Sequence, residues 1–170
     1  MSCLQSQIGV RVHTLVGALA EERAPVSGPV LLSAAGRLLR ARPMTSGNRA
    51  GRQRIASMAA LYLRTFAPPA DWRFLGAEHP VATGRVDIAW QATDGTVLFD
   101  EIKTITRLLT DDVAREQVDR YLASGTAMYG PMFAGVRLLA LAEPQTSLFA
   151  LPDGQRIPLR GSGWWLGGEL

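Results

Sequence analysis

Apolar positions along the first 65 residues recur with helical spacing. Over residues 4–22, Ile8, Val12, Leu15 and Leu19 fall on one side of a 3.6-residue period, which predicts an amphipathic helix. Pro25 and Gly28 break it. Pro29 suits the first turn of a second helix that runs to about Arg42 and stops at Pro43. Thr45-Ser46-Gly47-Asn48 reads as a loop. A third helix follows from about Arg49 to Thr65, with Ile55, Met58, Ala59 and Tyr62 on one side, and Pro68-Pro69 ends it.

The period then shortens to two. Residues 72–81 look extended, and Thr83-Gly84 makes a turn. Residues 85–91 form a second strand with Val86, Ile88 and Trp90 on one face and Asp87 on the other. Asp94-Gly95 is a strong hairpin signal. Residues 96–104 form a third strand that is apolar on both faces at Val97, Leu98, Phe99 and Ile102, the pattern of a central, buried strand. Thr110 caps a helix whose first turn carries Asp111 and Asp112 and whose end falls near Ser124-Gly125. Residues 135–142 make an apolar fourth strand, and residues 147–151 and 155–159 a terminal hairpin around Asp153-Gly154. Helices, strands, a helix and more strands in that order predict an α/β domain with a four-stranded mixed sheet and an N-terminal helical segment. We read residues 1–170 as one domain: a helical, arginine-rich part (1–70), an α/β core (71–160) and a glycine-rich tail (161–170) carrying Trp164-Trp165.

Composition narrows the classes. Apolar residues make up 47% and charged residues 19%, an ordinary globular balance, and no apolar run approaches the ~18 residues that span a bilayer. The N-terminus lacks the basic-then-apolar plan of a secretory signal, so a cytoplasmic location without membrane association is expected. A single cysteine, Cys3, excludes an internal disulfide and a four-cysteine metal site within one chain. The net charge of +3 conceals an asymmetry. Residues 1–70 hold nine arginines against Glu21 and Glu22, a balance of +7, and residues 71–170 hold nine cations against thirteen acids, a balance of −4. Arg37, Arg40, Arg42, Arg49, Arg52 and Arg54 lie in a stretch without any acid. Such a stretch either engages the phosphates of a nucleic acid or forms a solvated basic surface. The chain also has seventeen arginines and one lysine, Lys103. Lysine is a compact point charge that the planar arginine fork does not replace, so a lone lysine draws attention to its surroundings.

Those surroundings are chemical. In Phe99-Asp100-Glu101-Ile102-Lys103, Glu101 and Lys103 project to one face and Asp100 and Ile102 to the other. If the Asp94-Gly95 turn pairs the strands, Asp87 comes across from Glu101. Two carboxylates, with the Ile102 carbonyl, offer hard oxygen ligands for Mg2+ or Mn2+. A lysine beside them can orient an attacking water or steady charge on phosphate oxygens. Glu78 on the preceding strand is either a further acid at this place or a solvated strand residue, and His79 reads as structural or exposed. Asp100 is expected to face away and anchor a neighbouring helix.

The stretches Gly84-Arg85-Val86-Asp87-Ile88-Ala89 and Phe99-Asp100-Glu101-Ile102-Lys103-Thr104 resemble the core of the PD-(D/E)XK nucleases, and more narrowly their RecB-like and Cas4-like branch. That branch carries a Q-x-x-x-Y motif on the next helix, here Gln117-Val118-Asp119-Arg120-Tyr121. Its two end residues share one helix face. The resemblance implies a restriction-endonuclease-like core with a mixed central sheet flanked by helices. It also implies a nuclease that hydrolyses DNA with Asp87, Glu101 and Lys103 as its centre and Gln117 and Tyr121 on the substrate backbone. A G-x-x-x-H pattern, Gly9 to His13, matches a histidine that serves the branch as an extra metal ligand. Without a cysteine cluster, this would be a version free of iron–sulfur. A homodimer or a larger nuclease complex is compatible with the pattern. Two other readings stay open: a non-catalytic nucleic-acid-binding module or accessory subunit with a degenerate nuclease fold, and an interaction protein whose acidic strands only resemble the motif.

Overall fold

The computed structural model describes residues 3–22, 28–41, 49–104 and 112–159. The expected breaks and loops at Pro25 and Thr45–Asn48, the Thr110 cap with Asp111, and the tail with Trp164-Trp165 lie outside the described residues. The chain divides into two compact units, residues 1–67 and 68–170.

The first unit is three helices: α1 (Cys3–Glu21), α2 (Gly28–Ala41) and α3 (Arg49–Thr65). Each buries the apolar stripe its sequence carries: Val12, Leu15, Val16 and Leu19 on α1, Leu31, Ala34, Ala35 and Leu39 on α2, and Ile55, Met58, Ala59 and Tyr62 on α3. Spacings of three and four residues put each set on one face, so the three stripes close a small core. At the end of α3 the Phe66 and Ala67 amides both donate to the Tyr62 carbonyl before Pro68-Pro69 stops the helix.

The second unit is a mixed sheet of six strands in the order β1 (Arg73–Val81), β2 (Gly84–Gln91), β3 (Val97–Lys103), β4 (Phe133–Ala140), β5 (Leu148–Ala150) and β6 (Arg156–Pro158). Only β3 and β4 run parallel; the other neighbours are antiparallel. Helix α4 (Asp112–Tyr129) makes the crossover that a parallel pair requires. Its Ala114, Val118, Tyr121 and Leu122 pack on Val86, Ala89, Phe99, Val136 and Leu138 of the sheet. The α/β class and the mixed sheet agree with the sequence reading.

Three expectations need correction. The sheet has six strands rather than four, because the terminal hairpin joins it: Phe149 pairs with Arg137, and the Ser147 hydroxyl accepts from the Ala140 amide. A strand of three residues is too short for its own periodicity to reveal that attachment. The fourth strand starts at Phe133, two residues earlier than its apolar run indicated. Helix α4 continues past Ser124-Gly125 to Tyr129. Gly125 is a contact, not a stop: an added Cβ would fall inside the Phe133 ring. The α-helix ends instead at Tyr129: Gly130, with a φ of +55°, and Pro131 do not continue it, and one 3-10 turn, Gly130–Met132, follows.

Candidate active site

The β2–β3 hairpin turns where Asp94-Gly95 predicts. The Ala92 amide donates to the Thr96 carbonyl at 2.8 Å, the Thr96 amide donates to Asp94 Oδ1 at 2.8 Å, and Gly95 takes a φ of +92°. From this turn the ladder runs through Gln91↔Val97 to Ile88↔Asp100 and then ends. The next pair in that register would be Asp87 and Glu101. There the backbones part, and the Asp87 side chain spans the gap: its Oδ2 accepts from the Ile102 amide at 2.6 Å. In a strand a residue's N–H and C=O point to the same side. The Ile102 carbonyl therefore faces the same opening as Asp87. Asp87 and Glu101 are both buried, at 7% and 3% exposure. Carboxylates are rarely buried to this degree without charge partners or a metal.

Glu101 and Lys103 share a face of β3, as period two requires. Lys103 Nζ donates to Glu101 Oε1 at 2.5 Å and to Gln117 Oε1, on α4, at 2.9 Å. Gln117 Nε2 then donates to the Tyr121 hydroxyl at 2.9 Å, and that hydroxyl donates to the Arg85 carbonyl on β2 at 2.5 Å. Donor and acceptor alternate in one direction only. An ammonium cannot accept, and a carbonyl cannot donate, so the amide orientation of Gln117 is determined by its two neighbours. Burial, reinforced by the nearby Glu101 and Asp87 charges and opposed by the Gln117 hydrogen bond, pushes the Tyr121 phenol up to about 12. Tyr121 is thus a neutral donor across the physiological range.

Glu78 stands opposite Asp87, between the pairs Ala77↔Ile88 and His79↔Val86. It is exposed and adopts a φ of +50°, unusual for a non-glycine residue, and one of its oxygens lies within 4.8 Å of an Asp87 oxygen. His79 is half-buried. Its Nε2 is 3.2 Å from the Tyr129 hydroxyl, its ring packs on Phe99, and burial holds its imidazole below the usual value.

Asp100 faces away from this cluster, as expected, but its anchor is a strand rather than a helix. Arg137 on β4 grips both its oxygens, at 2.6 and 2.7 Å, and the Trp90 indole donates to it at 3.1 Å. The apolar texture of β4 hid this partner. A lone arginine within Gly135-Val136-Arg137-Leu138 was the available signal, since a cation in a buried strand demands a carboxylate. Nor could the Arg85 carbonyl be anticipated, because backbone acceptors leave no mark in sequence.

The structure thus brings together Asp87, Glu101, Ile102, Lys103, Gln117 and Tyr121 within the second unit. His13 belongs to the first unit, half-buried on α1. Arg37, Arg49, Arg52 and Arg54 are exposed on α2 and α3; the Arg40 side chain and Arg42 lie outside the described residues. Among the described residues no helix is long and apolar enough to cross a membrane.

The donor set at the β2–β3 opening is carboxylate and carbonyl oxygen. This set fits a hard cation such as Mg2+ or Mn2+ and does not favour a soft, thiolate-seeking one.

No family model matches the chain, and no curated protein does. Two solved structures are similar to it. One is a repair endonuclease from Pyrococcus abyssi, 26% identical with a TM-score of 0.37 over 50% of this chain and 36% of its own. The other is an EndoMS–dsDNA2 complex, 24% identical with a TM-score of 0.36 over 50% of this chain and 34% of its own. The chain spans about a third of the length of each.

Proposed function

We propose that the chain is a metal-dependent nuclease of the PD-(D/E)XK kind, hydrolysing phosphodiester bonds in DNA at the β2–β3 opening. One observation carries this reading. The sole lysine of the sequence is fastened between Glu101 and Gln117, beside the point where Asp87 holds the parted strands together.

Asp87, Glu101 and the Ile102 carbonyl would hold Mg2+ or Mn2+. When bound, the ion polarises the phosphodiester and lowers the pKa of a water. Lys103 has three N–H donors, and among the described residues Glu101 and Gln117 take two. The third can hold the attacking water or a non-bridging phosphate oxygen as negative charge develops. Gln117 and Tyr121 keep that ammonium aimed, and the neutral Tyr121 hydroxyl adds no negative charge next to an anionic substrate. The sequence resemblance adds His13 as a further ligand; Mn2+ titration of a His13→Ala variant tests that assignment. The arginines of α2 and α3, Arg37, Arg49, Arg52 and Arg54, would neutralise backbone phosphates.

The test is cleavage of linear, circular, single- and double-stranded DNA with Mg2+, with Mn2+ and with EDTA, for the wild type and Lys103→Ala. Cleavage by the wild type that EDTA abolishes and Lys103→Ala reduces at least ~100-fold is the expected outcome. Undiminished metal-dependent cleavage by Lys103→Ala refutes the assignment. DNA binding without any cleavage would instead establish the non-catalytic binding module.

A further inference from the structure

Helix α4 carries a third polar side chain in line with Gln117 and Tyr121. Ser124 lies three residues beyond Tyr121, on the same face. Serine is a poor helix former, and this one sits inside the helix with 3% of its surface exposed. A serine so placed can bond the carbonyl four residues back. Here that carbonyl, on Arg120, accepts instead from Thr83 at 3.4 Å, and the Ser124 hydroxyl is 2.8 Å from Thr83 Oγ1. One placement of protons satisfies both contacts: Ser124 donates to Thr83, and Thr83 donates to Arg120. Thr83 is an exposed residue of the two-residue turn between β1 and β2, which the pair Val81↔Gly84 closes.

The turn leads directly to the site. Strand β3 pairs with β2 only as far as Ile88↔Asp100, so among the described residues 84–87 take their ladder from β1. Strand β1 is an edge strand, and its Pro80, opposite Arg85, has no N–H to give. Asp87 stands at the end of this stretch. Two contacts from α4 steady it: the Tyr121 hydroxyl on the Arg85 carbonyl, and Ser124 on Thr83. With the second contact gone, the start of β2 is tied to the helix at one point, about which it can pivot.

We infer that Thr83 and Ser124 are positioning residues of the proposed centre. Their hydroxyl pair seats the start of β2 on α4, and so holds Asp87 where it meets the Ile102 amide and shares a divalent cation with Glu101. The cation part rests on the nuclease reading; the seating rests on the hydrogen bonds alone.

The experiment has two arms. The first follows amide hydrogen exchange by NMR without metal. It compares the Ile102 amide, held by Asp87, with the Phe99 amide, which lies within the β2–β3 ladder. A general loss of stability speeds both alike. Thr83→Val and Ser124→Ala should raise the Ile102-to-Phe99 ratio at least about threefold, and the double variant should do no more than either single one. Thr83→Ser keeps the hydroxyl and should retain the wild-type ratio. Arg156→Ala cuts another tie between α4 and the sheet, the exposed pair with Asp119, and should also leave the ratio unchanged. A wild-type ratio in Thr83→Val and Ser124→Ala overturns the inference. So does a Thr83→Ser variant as fast as Thr83→Val, or an equal rise in Arg156→Ala. The second arm is Mn2+ titration by calorimetry. Thr83→Val and Ser124→Ala should weaken Mn2+ by at least about threefold, less than the roughly tenfold or more that follows loss of a group bonded directly to a ligand. Thr83→Ser and Arg156→Ala should bind as the wild type does. A wild type that takes up no Mn2+ refutes the Asp87–Glu101–Lys103 reading and the cation part with it. A wild type that binds, beside variants that bind equally well, refutes the inference alone.

Discussion

Replacing Arg137 by methionine is the most informative single perturbation of the sheet. Arg137 and Asp100 are both fully buried, and two hydrogen bonds of 2.6 and 2.7 Å join them across the parallel β3–β4 pair. Methionine fills much of the same volume but strips the carboxylate of its counter-charge. Breaking a buried pair from one side costs about 3–5 kcal/mol. Two hydrogen bonds to a charged group, at about 1.5–3 kcal/mol each, describe the same loss and agree in size. Against a total stability of about 5–15 kcal/mol, that is about a fifth or more. At roughly 4–8 °C per kcal/mol for a unit of this size, the midpoint should fall by at least about 12 °C. Urea unfolding followed by circular dichroism, with calorimetry alongside, measures it. The double variant Asp100→Leu with Arg137→Met removes both charges and should recover most of the loss, since an apolar pair of similar volume substitutes well for a buried ion pair. A single variant that costs under about 1 kcal/mol, or a double variant no better than the single, would show that this pair does not set the stability of the sheet.

Two further outcomes follow from the geometry. Gly125→Ala should destabilise by about 1–3 kcal/mol despite alanine's better helix propensity, because the new methyl meets the Phe133 ring; a gain in denaturant midpoint would contradict this packing. Tyr121 has a folded-state pKa above its unfolded one, so its contribution is complete below pH 10 and is lost as the pH climbs from 10 towards about 12. Tyr121→Phe lacks that term, so its denaturant midpoint should fall less steeply than that of the wild type across this window; parallel slopes would disprove the assignment.

Local signals were readable in sequence wherever chemistry and spacing coincide. Asp94-Gly95 specifies its turn through a side-chain acceptor and a positive φ, both properties of those residues alone. The alternation of Asp100, Glu101, Ile102 and Lys103 assigns faces without any knowledge of the partner strands. Gln117 and Tyr121 meet one face because they are four apart on a helix. What escaped notice depends on residues distant in the chain. Asp100 could be assigned a face, but its grip by Arg137, 37 positions later, required the parallel register. Gly125 looks like a terminator until Phe133 is seen against it. The three-residue strand at Leu148–Ala150 owes its existence to β4 more than to its own pattern.

The hydrogen-bonded run from Lys103 through Gln117 and Tyr121 to the Arg85 carbonyl has a mechanical meaning as well as an electrostatic one. It begins on β3 and ends on β2, crossing by way of α4, and it bridges the two strands beyond the place where their own ladder stops. It works as a strut that gauges the width of the mouth between Asp87 and Glu101. Shortening or removing Gln117 or Tyr121, the uncharged members, alters that span without altering any charge. The helix is therefore a spacer that helps to decide how far apart the two acids stand.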